Sequence, residues 1–262
     1  MDYILPVLVF ATIGAVAGIL LTVVSKIFEV KTDERLEMLQ ETLPNINCGA
    51  CGYSGCGDYA QAVLGGEDCN LCKPGGENVV KKLSSIMDVE EKKSEIVKAF
   101  VKCGGDCNVT AKKYVYKGIQ SCRASNQFYS GSKVCTNGCL GFGDCVNVCP
   151  EGAICIDNEI AVINPIKCVG CGLCVKTCPN NLIVIRPEHQ NVEVVCSSTD
   201  IGKVTRAICR NGCIGCKMCE RKCPVNAIKV ENNFAIIDYS KCTNCGECVE
   251  ACKFGVIKKS SI

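Results

Sequence analysis

The run Cys213-Ile214-Gly215-Cys216-Lys217-Met218-Cys219-Glu220-Arg221-Lys222-Cys223-Pro224, followed by Cys242-Thr243-Asn244-Cys245-Gly246-Glu247-Cys248-Val249-Glu250-Ala251-Cys252, decides the fold. Each run reads C-x2-C-x2-C-x3-C, the spacing at which a tight loop gives three thiolates to one iron–sulfur cube and a fourth to its neighbour. The wiring predicts one 4Fe-4S cluster on Cys213, Cys216, Cys219 and Cys252, and another on Cys242, Cys245, Cys248 and Cys223. Structural zinc also takes four thiolates, but its ligands usually come as two separated pairs and not as tight runs with a trailing proline. A disulfide framework belongs to small secreted chains, and the topology read below puts these thiols in a reducing compartment. Such a chain is expected to move electrons.

Working upstream, a shift of 74 residues lays Cys139, Cys145 and Cys149 on Cys213, Cys219 and Cys223, and Cys168, Cys171, Cys174 and Cys178 on Cys242, Cys245, Cys248 and Cys252. It also lays Cys122 on Cys196 and Cys135 on Cys209, so two tandem modules are predicted. Each is a cysteine loop with a short helix, a hairpin around Asp157-Asn158 or Asn232-Asn233, and a second cysteine loop. Cys168, Cys171, Cys174 and Cys149 form a complete set. The position matching Cys216 is Phe142, so either Cys135 completes the cluster of Cys139, Cys145 and Cys178, the reading preferred here, or that cluster is modified or absent. Lys253 replaces the proline of the other runs, Pro150, Pro179 and Pro224, without touching the ligand set.

Further upstream, Cys48, Cys51 and Cys56 in a glycine-rich loop, with Cys72 before Pro74-Gly75-Gly76, suit one more cluster. Cys69 competes for the last position, and the turn around Cys72 favours Cys72. The total of 27 cysteines allows at most six cubes with three thiols left over. A sixth cluster drawn from Cys103, Cys107, Cys122, Cys196 and Cys209 stands against structural free cysteines there. Cys155, on a hairpin strand, reads as a small packing residue.

Tyr3 to Val24 carries no charge and as a helix would reach about 33 Å, enough for one membrane pass. The start lacks the basic region and cleavage site of a signal peptide. Lys26, Lys31 and Arg35 follow the span and Asp2 precedes it, which predicts a cytoplasmic carboxyl side. Gly14 and Gly18 offer a small-residue face to a partner helix. Leu36, Leu39 and Leu43 predict a short amphipathic stalk ended by Pro44, and the apolar positions from Val79 to Phe100 predict helices. The class is α+β: a membrane anchor (1–28), a stalk (29–44), a 4Fe-4S domain (45–85), a connecting helical segment (86–121), and two ferredoxin-like repeats (122–190 and 191–262).

The net charge of +2 gives no case for nucleic acid. His189 is the single histidine, so no paired-histidine haem site exists, and no dinucleotide or phosphate-loop fingerprint is present. Lys203, Arg206, Arg210, Lys217, Arg221 and Lys222 are read as solvated surface, with steering of an acidic redox partner as the alternative.

With the anchor, the Cys48-to-Cys56 loop, the Cys72-Lys73-Pro74-Gly75-Gly76 turn and the tandem runs in this order, the chain resembles the B subunit of the Rnf complex. It looks most like the long cysteine-rich form, with Cys103 to Cys122 and Cys196-Ser197-Ser198 as additions to the shorter form. The resemblance implies a membrane assembly that oxidises reduced ferredoxin, passes electrons to NAD and translocates sodium ions or protons. It also implies integral-membrane and flavin-containing partner subunits. The alternatives are an iron–sulfur subunit of another membrane oxidoreductase, or a membrane-tethered iron–sulfur scaffold.

Overall fold

The computed structural model describes residues 4–27, 33–93 and 95–260, so Asp2, Tyr3 and Lys31 lie outside the described residues. Helix α1 (Ile4–Ile27) has 24 residues, about 36 Å of helix. Its Leu8–Lys26 stretch is long and apolar enough to cross a membrane, and none of it is buried against the rest of the chain. Gly14 and Gly18 face open space.

Helix α2 (Glu34–Thr42) begins where the Asp33 carboxylate accepts the Arg35 backbone N–H. Instead of standing free as a stalk, it packs on α3 (Cys56–Leu64) and α4 (Gly76–Met87). Leu39 and Leu83 are fully buried with Tyr59 and Val63 in one core. The amphipathic stripe of α2 therefore supplies part of the core that so small a metal module lacks.

The predicted helix over Ile96 to Phe100 is instead strand β1 (Val97–Val101), which lies antiparallel to a strand of the first repeat with Val101 opposite Ile183. Its β-branched residues and its pairing partner outweigh the helical spacing. Then come α5 (Cys122–Asn126), α6 (Asp144–Asn147), the hairpin β2 (Ile154–Asp157) and β3 (Ile160–Ile163), α7 (Leu173–Thr177) and β4 (Ile183–Pro187), the partner of β1. The second repeat follows as β5 (Val192–Val194), α8 (Gly202–Ile208), α9 (Met218–Lys222), the hairpin β6 (Ile228–Glu231) and β7 (Phe234–Ile237), α10 (Glu247–Ala251) and β8 (Ile257–Lys259). Both hairpins turn on two positive-φ residues, Asn158-Glu159 and Asn232-Asn233, as the right-handed twist of a two-residue loop requires.

In each repeat an outer pair flanks the hairpin, β1 on β4 and β5 on β8. β1, ahead of residue 122, thus pairs with a strand of the first repeat. Cys103 and Cys196 both stand two residues beyond their outer strand. Cys139 follows Cys103 by 36 residues, while Cys213 follows Cys196 by 17, so the first repeat carries a 19-residue insertion there. The repeats are joined by buried Arg186, which pairs with Glu193 at 2.5 Å and lies 5.7 Å over the Phe100 ring.

Candidate metal centres

The motif loops share one backbone solution. The residue before each of α6, α7, α9 and α10, namely Gly143, Gly172, Lys217 and Gly246, has positive φ, and so does the residue two earlier, namely Gly141, Gly170, Gly215 and Asn244. Alternating left-handed residues curl the chain so that successive N–H groups point inward, a concavity suited to an anionic group. Gly170 shows the demand most plainly: a Cβ there would sit 2.4 Å from the Val97 carbonyl oxygen. Backbone N–H groups also reach sulfur, from Ala99 to Cys168 at 3.4 Å, Ala153 to Cys149 at 3.3 Å, Leu182 to Cys178 at 3.4 Å and Ala227 to Cys223 at 3.2 Å.

These loops gather thiols in fours. Cys213, Cys216, Cys219 and Cys252 line one space of about 350 Å³. Cys149, Cys168, Cys171 and Cys174 line another of about 320 Å³. Cys248 is pushed up to about 11 by burial, with Cys242, Cys245 and Cys223 beside it. In the first module Cys72 is likewise pushed up to about 11 by burial, and Cys56, Cys51 and Cys48 stand beside it. Cys69 neighbours Asp68 and Lys92 instead.

Cys135 does not join Cys139, Cys145 and Cys178. The thiol that shares their space of about 370 Å³ is Cys122, whereas Cys135 lines a separate space of about 390 Å³ with Cys103, Cys196 and Cys209. Cys122 opens α5, and Asp144 anchors that helix start. The Asp144 carboxylate accepts from the N–H groups of Cys122 and Arg123, both at 3.0 Å, and from the Ser121 hydroxyl at 2.9 Å. Burial raises the Asp144 pKa, but these donors outweigh it and hold the carboxyl below its usual range. Phe142 meets the Tyr116 ring at 5.5 Å. Both Tyr116 and Cys122 lie on the insertion, which the ungapped shift of 74 conceals. The legible signal was the pair of strands Val97–Val101 and Val192–Val194, each two residues ahead of a cysteine.

The groups fit cubes better than single ions. Among the described residues no three Cys, His, Asp or Glu side chains converge to hold one metal ion, whereas zinc would draw four sulfurs to about 2.3 Å from one point. The thiols instead ring open space. Burial pushes Cys135, Cys145 and Cys174 up to about 12, so iron must displace their protons as it binds.

Family models agree in placement. A 4Fe-4S dicluster model matches residues 212–256, a second dicluster model 167–228, a 4Fe-4S binding domain model 135–153, and an Fe-S cluster model 43–74. The chain is 42% identical to the B subunit of the proton-translocating ferredoxin:NAD(+) oxidoreductase complex of Clostridium ljungdahlii, over 98% of this chain and 93% of that one. It is 38% identical to the B subunit of the Na(+)-translocating complex of Acetobacterium woodii, over 96% and 76% of the two chains. Against the B subunit of the ion-translocating oxidoreductase complex of Methanosarcina acetivorans the identity is 37%, over 93% of each. The chain belongs to the Rnf B-subunit family.

As a member of the Rnf B-subunit family it is an iron–sulfur electron-transfer subunit with several 4Fe-4S clusters, part of an oxidoreductase that translocates ions. Helix α1 and membership of the complex associate it with the membrane. Three cysteines of the chain, at positions 69, 107 and 155, fall outside the groups of four; Cys69 is buried, and Cys107 and Cys155 are exposed.

Proposed function

We propose that this protein takes electrons from reduced ferredoxin on the cytoplasmic side of the cell membrane and delivers them to integral-membrane and flavin-containing subunits of a ferredoxin:NAD oxidoreductase. When bound, each 4Fe-4S cube accepts and releases one electron. Five cubes belong to Cys48, Cys51, Cys56 and Cys72; to Cys149, Cys168, Cys171 and Cys174; to Cys122, Cys139, Cys145 and Cys178; to Cys213, Cys216, Cys219 and Cys252; and to Cys223, Cys242, Cys245 and Cys248. The units are the anchor α1, a 4Fe-4S module with α2 in its core, and the two repeats.

The observation that carries this reading is the contact between successive groups. Lys176, in the helix between Cys174 and Cys178, donates from Nζ to the Cys48 carbonyl at 2.8 Å, and Cys48 neighbours Cys171. The membrane-proximal module thus abuts the first repeat. Within each repeat, Cys145 and Cys149, like Cys219 and Cys223, leave one short helix for two different groups. At the far end Cys216 and Cys245 are exposed, and Lys217, Arg221 and Lys222, which follow Cys216 in the chain, are solvent-facing, a basic rim on that side that favours an acidic carrier.

The test is the full-length chain in detergent, kept anaerobic. It should hold at least about 20 iron atoms with matching sulfide and oxidise reduced ferredoxin rapidly in stopped-flow mixing. Zinc without sulfide would overturn the proposal. So would release of clusters to apo-proteins with no ferredoxin oxidation, the behaviour of a scaffold.

A further inference from the structure

One space remains, lined by Cys103, Cys135, Cys196 and Cys209, and no C-x2-C run supplies any of these thiols. We infer that they hold a sixth 4Fe-4S cluster, seated between the two repeats and relaying electrons from one to the other. The inference rests on the electron-transfer reading above.

The ligands come in equivalent pairs. Cys103 and Cys196 each lie two residues past an outer strand, and each accepts an N–H from the first motif cysteine of its own repeat. Cys139 N donates to Cys103 Sγ, and Cys213 N to Cys196 Sγ, both at 3.3 Å. Cys135 and Cys209 each stand four residues ahead of that same motif cysteine. Each repeat therefore gives one thiol from its strand end and one from its loop, and neither completes the set. The two halves meet at the rim, where Gly104 N donates to the Val195 carbonyl at 2.9 Å and the Asn211 amide to the Gly104 carbonyl at 2.8 Å. Incidental buried thiols have no reason to recur at matched positions.

The walls suit a cube. Gly105 and Gly138 border the sulfurs closely: a Cβ on Gly105 would lie 3.4 Å from Cys209 Sγ and 3.7 Å from Cys103 Sγ, and one on Gly138 3.4 Å from Cys135 Sγ, all at ordinary contact distance. Four thiolates leave the cube net negative, and Lys102 and Lys133 line the same space. Lys133 is only 2% exposed, its ammonium resting on the carbonyl oxygens of Glu159 at 2.8 Å and Gly105 at 3.4 Å. A buried cation is stabilised by a neighbouring anion.

The two N–H···S contacts lead outward, one to the group of Cys139 and the other to the group of Cys213. Each hop oxidises one cube by one electron and reduces the next by one, with no bond broken and no proton required. The electron comes from a reduced iron–sulfur carrier at one end and leaves to a redox group of a membrane partner at the other.

The test compares full-length wild type, Cys103→Ala and Cys209→Ala, all purified anaerobically, by iron, sulfide and EPR of the reduced chains. Wild type should hold about 24 iron atoms and each variant about four fewer, with the other clusters' signals intact. On mixing with reduced ferredoxin, the variants should reduce one repeat rapidly and lose the fast phase of the other. About 20 iron atoms in wild type that still oxidises ferredoxin, or variants that keep the wild-type iron, would overturn the sixth site and leave the electron-transfer reading standing. Absence of sulfide from wild type would overturn that reading itself. Should the alanine variants fail to accumulate, the wild-type iron count and spin quantitation decide alone.

Discussion

Replacing Cys122 by alanine should remove one cube from the first repeat, and adding Phe142→Cys should bring it back. The backbone already supports the exchange. Gly141 and Gly143 have φ of 79° and 83°, and Gly215 and Lys217 on either side of Cys216 have 66° and 59°, so position 142 has the turn that presents Cys216 to its cluster. Cys122→Ala alone is expected to lower iron by about four atoms per chain, or by about one if a three-iron cluster survives. The double variant should regain them. Its penalty is the loss of the Phe142–Tyr116 contact at 5.5 Å, about 1 kcal/mol for an aromatic pair, read as a small drop in unfolding midpoint. Iron and sulfide analysis with EPR follows the cluster. The reasoning fails if Cys122→Ala keeps all its iron while Cys135→Ala loses the signal of the Cys139 cluster, since Cys135 would then be the compensating ligand.

Lys133→Met removes a buried ammonium. A unit charge at close range in an effective dielectric near 20 is worth a few kcal/mol, so a neighbouring cluster's potential should fall by ~100–200 mV at about 60 mV per tenfold for one electron, read by redox titration. Lys176→Met deletes the 2.8 Å bond to the Cys48 carbonyl; it should loosen the first module by about 1–3 kcal/mol and slow reduction of its cluster in stopped-flow without changing iron content. Arg186→Met leaves half-buried Glu193 without its partner and should destabilise the joint between repeats by about 1–3 kcal/mol. Arg186→Met with Glu193→Met should recover most of that loss in denaturant unfolding.

The legible part of this protein was the part written in short spacings. Cys213 to Cys223 and Cys242 to Cys252 carry their geometry within a dozen residues, because one loop conformation dictates where three thiols point. Asn158 and Asn232 announced the hairpins for the same local reason. By sequence Cys122 and Cys103 stay in an unassigned pool because their partners are set by tertiary structure. The shift of 74 aligned Cys122 with Cys196 on the strength of the gapless match downstream, but the insertion lies just upstream of that match, and the true mate of Cys196 is Cys103. The stretch Val97–Val101 was read as helix since its partner β4 lies 82 residues further on, as the pairing of Val101 with Ile183 records, and no local pattern reveals it.

The insertion and the missing ligand explain each other. Phe142 cannot bind iron, and the segment that covers it with Tyr116 also delivers Cys122, which Asp144, one residue from Cys145, fastens in place. Where the second repeat takes Cys216 from the loop itself, the first takes Cys122, which arrives only when the insertion has folded. The group of Cys103, Cys135, Cys196 and Cys209 extends the same logic across the whole chain, since its thiols meet only when both repeats have docked. Metal binding at such sites is folding free energy. The other motif clusters of the repeats need only the two cysteine loops of one repeat, but these two depend on the insertion or on both repeats together. Depletion of iron should therefore undo the insertion and the joint between repeats before the individual motif loops. Hydrogen exchange at Cys122, Gly104 and Asn211 would detect this order, and simultaneous opening of the Cys168 and Cys242 loops would refute it.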